Sequence, residues 1–252
     1  KSKGKTEEMR FIDAISSGLK QSMQHHNNLV IMGQDIAEYG GVFKITDGFL
    51  EEFGAERVRN TPICESTIIE AAYGLSINGN IKAVVELQFS DFITSGFNPV
   101  INLLAKSYYR WRQGTSVVLR MPCGAGVNAG PFHSQTNEAW FTKTPGLKVV
   151  YPAFPYDAKG LLATALEDEN PILFFEHKLL YRTIYQDVPT AYYTIPFGKA
   201  ALLNNGISIS IITYGLGVHW ALEVVKTHNI SADILDLRTL QPLDIDAIYA
   251  SV

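Results

Sequence analysis

Cysteine is nearly absent from this sequence: Cys64 and Cys123 are the only two in 252 residues, and no CxxC pair occurs. A disulfide framework or a structural zinc site has nothing to build on, and a reducing compartment is expected, the cytoplasm or, in a eukaryote, the mitochondrial matrix. Blocks of one charge sign are missing as well. The 21 basic and 25 acidic side chains are interspersed, the net charge is −4, and no basic stripe offers itself to nucleic acid or anionic lipid. The longest apolar runs, such as 207–218, fall well short of the roughly 18 residues of a membrane span. A soluble chain with no nucleic-acid and no membrane partner is expected. No GxxxxGK[ST] string exists, so a P-loop is excluded. No secretory signal precedes the first periodic segment, and the basic opening KSKGK reads as a linker left from a longer protein.

The residues that are present describe a globular chain. At 46% hydrophobic and 18% charged, it can bury one large core or two smaller ones. Ile12, Ile15, Leu19 and Met23 recur at helical spacing, with Glu7 and Glu8 near the start, which predicts an amphipathic helix over 6–24. A strand is expected at 29–33, then a glycine-bearing loop through Gly40 and Gly41, and a short helix around Phe49, Leu50 and Phe53 stopped by Gly54. A helix over 66–79 closing on Gly79 follows, then a strand at 81–87, a long helix at 99–114, a strand at 116–121, and a glycine-rich loop at 122–135. Next come a strand at 147–152, a helix at 155–170 and a strand at 171–176. Strands rich in Val, Ile and Phe without polar alternation, separated by helices, imply an α/β fold whose parallel sheet is covered on both faces. The polar, proline-containing stretch 183–198 reads as a linker. Beyond it a strand at 207–215, a helix at 217–229, a strand at 232–237 and a helix starting at 244 open a second α/β unit. With only about 55 residues, against the roughly 100 such a domain needs, that unit reads as cut short.

Two residues carry chemistry worth weighing. Glu65, in TPICES (61–66), stands where a strand gives way to a helix, and ligands of parallel sheets gather at strand ends. It could simply complement the dipole of the following helix, or it could be a semi-buried carboxylate that shares a proton with a heterocyclic nitrogen. His133 lies in GPFHSQ (130–135), on the loop after a buried strand, where an imidazole can serve as acid or base or stand exposed without a role. His25, His26, His177, His219 and His228 show no shared metal-ligand spacing and read as structural or solvated. The glycine clusters at 124–130 and 215–220 fail as dinucleotide fingerprints, the first in spacing and the second because Trp220 fills the close-packing position. Cys64 and Cys123 have no base beside them in sequence and are expected to be buried thiols.

The runs NTPICES, VELQFSDF, AGPFHSQ, PGLKVVYP, DAKGLL, EDENP and LLYR, in this order, resemble the beta subunits of 2-oxoacid dehydrogenase decarboxylase components. The similarity runs from Met9 to Val252, and the wording NTPICE, ELQFSDF and FFEHKLLYR is closer to the branched-chain (2-oxoisovalerate) type than to the pyruvate type. The resemblance implies a transketolase-like pyrimidine-binding domain over 1–185, a linker over 186–198, and a partial transketolase C-terminal domain over 199–252. It implies oxidative decarboxylation of a branched-chain 2-oxoacid through thiamine diphosphate, with acyl transfer to a lipoyl group. Glu65 matches the carboxylate that hydrogen-bonds the aminopyrimidine ring. Ile63, Gln88 and Phe92 match the pyrimidine pocket, Phe92 standing where branched-chain enzymes commonly have Tyr. His133 matches the active-site histidine. Thr115, Val117, Val118, Ala165, Asp168 and Asn170 match a structural potassium site.

In this family the diphosphate and its magnesium are held by a GDG motif on the alpha subunit. No such motif occurs here, and the nearest string, Asp47-Gly48, reads as lying on an early helix. The implied partners are therefore an alpha subunit or fused alpha half, a second beta chain in an alpha2beta2 assembly, and a lipoyl-bearing acyltransferase core. A pyruvate or acetoin dehydrogenase beta subunit stays open, as does a non-catalytic scaffold subunit, against which the retention of both Glu65 and His133 speaks.

Overall fold

The computed structural model describes residues 4–77 and 81–252. Strand β1 (Thr6–Arg10), helix α1 (Phe11–His25), β2 (Leu29–Gly33), α2 (Phe49–Phe53), β3 (Val58–Asn60), α3 (Glu65–Ile77) and β4 (Lys82–Glu86) open the chain. A π-helical turn at Pro99–Leu104 runs into α4 (Ala105–Trp111), followed by β5 (Val117–Cys123), α5 (Ala139–Thr142), β6 (Lys148–Val150), α6 (Pro155–Glu167), β7 (Ile172–His177), α7 (Leu180–Thr183) and β8 (Tyr185–Pro189). The last part holds β9 (Ala201–Asn204), β10 (Ile209–Thr213), α8 (Leu216–His228), β11 (Ala232–Asp236), β12 (Thr239–Gln241) and α9 (Ile245–Ser251). The expected closure of the third helix on Gly79 lies outside the described residues.

Seven strands form the main sheet in the order β12-β6-β7-β5-β4-β2-β3, with every neighbour parallel except β12 against β6. Every residue of β2, β5 and β7 is buried, as the unbroken apolar runs predict for strands covered on both faces. Alternate side chains feed two separate cores. Val84, Val118 and Phe174 pack toward α1 and α6, while Val85, Leu119 and Phe175 pack toward α3 on the other face. Each such side chain contributes about 1.5–3 kcal/mol on burial. A small second sheet, β10-β11-β9, carries α8 on one face through Ala221 and Val225 against Ala232 and Ile234.

Several expectations need correction. The first helix starts at Phe11, not at residue 6, because residues 6–10 form β1 and pair antiparallel with β8, Thr6 opposite Pro189 and Arg10 opposite Tyr185. The same pairing places a strand inside the stretch expected to be a linker. Both errors share a cause: the partner of each strand is some 180 residues away, where local periodicity cannot register it. The long helix over 99–114 is split, its first turn closing in π geometry with Ala105 N–H reaching the Val100 carbonyl, and its end set by Arg112 in the left-handed region at φ 56°. Asp47-Gly48 lies in a turn ahead of α2, with Gly48 at φ 76°.

From β2 the chain moves outward to edge strand β3, and α3 then returns it to β4 on the other side of β2. The direction of winding therefore reverses between β2 and β4. The C-terminal ends of those two strands flank the crevice that this topology leaves for a ligand.

Candidate active site

Gln34 and Asp35 follow β2 directly and tie the site together. The Gln34 side-chain amide donates to Glu65 Oε1 at 3.2 Å, and Asp35 Oδ2 accepts from the Gln88 amide at 3.3 Å. Two consecutive residues at the reversal point thus hold two of the sequence-predicted site residues, one from the start of α3 and one from the loop after β4. Asp35 adopts a left-handed conformation, φ 57°, which lets adjacent side chains address different neighbours. Glu65 is the first residue of α3 and only 7% exposed, so its carboxylate faces the crevice rather than solvent. Its position also suits the helix dipole, as expected.

The segment after Gln88 builds an aromatic wall. A 3₁₀ turn at Ser90–Thr94 carries Phe92, and Gly96 behind it approaches α3 so closely that a Cβ would lie 3.6 Å from the Glu65 carbonyl and 2.5 Å from Ile69. Asp91 Oδ1 accepts the backbone N–H groups of Ser134 and Gln135 at 3.1 and 3.2 Å. The glycine-rich loop is pinched shut at its neck, where Gly124 N–H donates to the Gln135 carbonyl at 2.9 Å. Held at these two places, the loop sets the half-buried His133 ring edge-on to Phe89 at 4.6 Å and to Phe92 at 5.5 Å. Edge-to-face packing of this kind fixes ring orientation and contributes about 0.5–1.5 kcal/mol.

Glu65, Gln88, Phe92 and His133 are therefore gathered on one side of the sheet's C-terminal edge. Ile63 stands two residues ahead of Glu65 in the turn before α3, 83% exposed. Cys64 beside it is exposed too, contrary to expectation, because residues 62–64 project ahead of α3, and its thiol meets Thr67 Oγ1 at 2.9 Å. Cys123 is buried as expected, and burial pushes its thiol up to about 12; the thiol donates to the Tyr151 oxygen at 3.0 Å. It is no nucleophile.

Beneath the crevice lies an ionic row that the sequence reading missed. Arg120 on β5 donates to Glu86 on β4 at 2.6 Å and, through a two-pronged contact at 2.8 Å, to Glu176 on β7, which also accepts from the Tyr181 hydroxyl at 2.6 Å. Arg120 is fully buried and its partners nearly so. Burial would lower the guanidinium, but the two carboxylates outweigh it and raise it; burial also raises Glu86. Gly41 closes over this row, since a Cβ there would come within 3.0 Å of Glu86 Oε1. Three charged residues on adjacent strands of an apolar run were the available signal.

The six residues expected to hold potassium fall at the opposite, N-terminal edge of the sheet. Asp168 Oδ1 accepts from the backbone and side-chain nitrogens of Asn170 at 2.9 and 2.7 Å, and Oδ2 is paired with the Lys148 ammonium. Burial would raise the Asp168 carboxyl, yet these bonds outweigh it and hold it low. Thr115 is tied to the same corner through its N–H to the Glu169 carbonyl, while its own carbonyl already accepts from Val117 at 2.8 Å. Val117, Val118 and Ala165 are buried beside it. Lys148 thus neutralises the single carboxylate of this set. An apolar cavity of about 550 Å³, lined by Leu104, Tyr108, Pro145, Gly146 and Pro171, shares this edge and stands apart from the Glu65 crevice.

Among the described residues, no helix is long and apolar enough to cross a membrane. Comparison with known proteins adds the following. Residues 7–183 match the family model of the transketolase pyrimidine-binding domain, and residues 198–252 match that of the transketolase C-terminal domain. The chain is 45% identical over 245 residues to the 2-oxoisovalerate dehydrogenase beta subunit of Bacillus subtilis, covering 95% of this chain and 75% of that protein. It is 42% identical over 250 residues to the beta subunit of the pyruvate dehydrogenase E1 component of the same organism, at 97% and 77% coverage. Its fold is shared with a split-gene transketolase solved as an inactive beta4 tetramer, at TM-score 0.79 and 20% identity over 96% of this chain and 75% of that one.

Proposed function

Because the chain belongs to the beta-subunit family of 2-oxoacid dehydrogenases, built on the transketolase pyrimidine-binding domain, we propose that it supplies the pyrimidine side of a thiamine-diphosphate site decarboxylating a branched-chain 2-oxoacid. The observation that carries the reading is Glu65, buried at the winding reversal and fixed through one oxygen by Gln34, with Phe89, Phe92 and His133 packed together on the loops after β4 and β5. Thiamine diphosphate, when bound, supplies an electron sink for the carboxylate lost as carbon dioxide. With Oε1 taken by Gln34, Glu65 keeps Oε2 to share a proton with a ring nitrogen, and a buried position strengthens that hydrogen bond. Phe92 offers an apolar face to a flat heterocycle, and Gln88, braced by Asp35, a polar edge. His133 would hold or move a proton at the substrate, its ring held against rotation by the two phenylalanines.

The proposed division is a pyrimidine-binding domain over 1–185, a linker over 186–198 and a C-terminal portion over 199–252. The apolar and single-carboxylate character of this site suits the ring and not the charged tail, so magnesium and the diphosphate are assigned to an alpha partner; an alpha2beta2 assembly, acyl transfer to a lipoyl-bearing core, and potassium in exchange for Lys148 belong to the same proposal. Identity to the 2-oxoisovalerate relative exceeds that to the pyruvate relative by 45% against 42%, which favours the branched-chain substrate. Isothermal titration with thiamine diphosphate and magnesium tests the division of labour. The chain alone is expected to bind weakly, since half the contacts are missing and each 1.4 kcal/mol costs about tenfold. Submicromolar binding without an alpha partner overturns it, and a preference of the assembled enzyme for pyruvate over 2-oxoisovalerate overturns the substrate assignment.

A further inference from the structure

Far from the crevice, α1 and α6 end side by side. They approach tightly at Gly18, where a Cβ would lie 3.3 Å from the Lys159 side chain and backbone. That close crossing brings the last residues of α1, His25 and the capping His26, up to Glu167 at the end of α6. One ligand atom from each of the three lies within 4.8 Å of the others. His26 Nε2 is buried and has no hydrogen-bond partner. Tyr192 supports the group from outside: its hydroxyl donates to Glu167 Oε1 at 2.9 Å, and its ring stacks on His25 at 4.9 Å.

We propose that His25, His26 and Glu167 form a binding site for a borderline divalent cation of the zinc class. Two imidazoles and one carboxylate are the donor set that zinc accepts with a fourth position left open to water. Donors around tetrahedral zinc stand about 3.3 Å apart, so the cluster must contract, which the solvent-exposed His25 and Glu167 side chains can do by moving together with Tyr192. Two helix C-termini point their partial negative charge at the ion. The Lys82 ammonium nearby donates to the Glu167 backbone carbonyl at 3.4 Å. Bound there, the ion would clip the end of α1 to the end of α6.

The test is titration of metal-stripped protein with Zn²⁺ against a chromogenic chelator, and with Cu²⁺ under electron paramagnetic resonance. One micromolar-or-tighter zinc per chain is expected, with copper coupled to two imidazole nitrogens. His25→Asn, His26→Asn and Glu167→Gln should each weaken zinc by at least about tenfold, or ~1.4 kcal/mol. Tyr192→Phe, which removes an outer partner, should cost about 10-fold. His228→Asn, an exposed histidine on α8, should leave affinity unchanged. His25 is exposed, so its variant keeps the fold and circular dichroism verifies it. Absence of stoichiometric zinc, or equal affinity in the wild type and the His25→Asn/Glu167→Gln double variant, overturns the proposal.

Discussion

Gln34 reaches across from the end of β2 to hold one oxygen of Glu65 at 3.2 Å, leaving the other to a ligand. Glu65→Gln keeps the shape and removes the proton acceptor. In the enzyme assembled with its alpha partner, turnover should fall by about 10²-fold or more while the melting temperature stays close to wild type. Near-normal decarboxylation would mean that Glu65 serves only the helix dipole.

His133 is set edge-on to Phe89 and Phe92, whereas Glu65 is held by Gln34. His133→Ala should therefore lower kcat by about 10²-fold while thiamine diphosphate affinity hardly changes. Titration calorimetry and steady-state kinetics on the assembled enzyme separate the two effects, and a collapse of cofactor affinity at normal kcat would assign the residue to the wrong ligand.

Arg120→Leu strands two buried carboxylates. Breaking a buried ion pair from one side costs about 3–5 kcal/mol, so urea denaturation should show a loss of that order. Glu86→Gln should cost much less, because burial already raises that carboxyl and the neutral amide still accepts from Arg120. Equal losses in both variants would argue against an uncompensated charge as the cause.

Burial raises Asp236 to about 7, with Asp157 nearby adding to the effect and the Arg238 backbone N–H and side chain opposing it. A carboxyl raised in the folded state contributes stability that is fully present below its unfolded value, near 3.8, and is lost as pH climbs toward 7. Asp236→Asn should remove that slope, on the order of 1 kcal/mol per pH unit. Melting curves of wild type and variant across this window should diverge in the variant's favour as pH rises, and parallel curves would contradict it.

Lys148 occupies the carboxylate on which a potassium ion would depend. Lys148→Met should therefore make the melting temperature respond to KCl more strongly than to NaCl at equal ionic strength, and more than the wild type does. No difference between the two salts in the variant would remove potassium from the proposal.

Much of the fold could be read from the sequence because both faces of the sheet are covered: β2, β5 and β7 appear as apolar runs between helices of ordinary length. What escaped was short or partnered at a distance. β3 and β12 have three residues each, β9 four, and β1 becomes a strand only because β8 lies beside it. The site was legible where chain position alone locates a residue, as with Glu65 at a strand-to-helix junction. It was not legible where one side chain serves another: Gln34 and Asp35 sit in plain view after β2, yet their tasks emerge only when α3 and the loop after β4 come alongside. His25 and Glu167 are 142 positions apart by number, so no spacing rule could have paired them.

The pairing of β1 with β8 has a mechanical consequence. Thr6 faces Pro189 and Arg10 faces Tyr185, so the outer ends of both strands emerge at the same end of the ribbon. Tension applied through the chain ahead of Thr6 would therefore peel the ribbon open one residue pair at a time from that end, instead of shearing all its hydrogen bonds at once. Only load entering ahead of Thr6 meets the ribbon in this way, because beyond Pro189 the chain is pinned by the Ile195 N–H on the Gly160 carbonyl and rejoins the seven-stranded sheet at β12, so a pull on that side acts on the sheet directly.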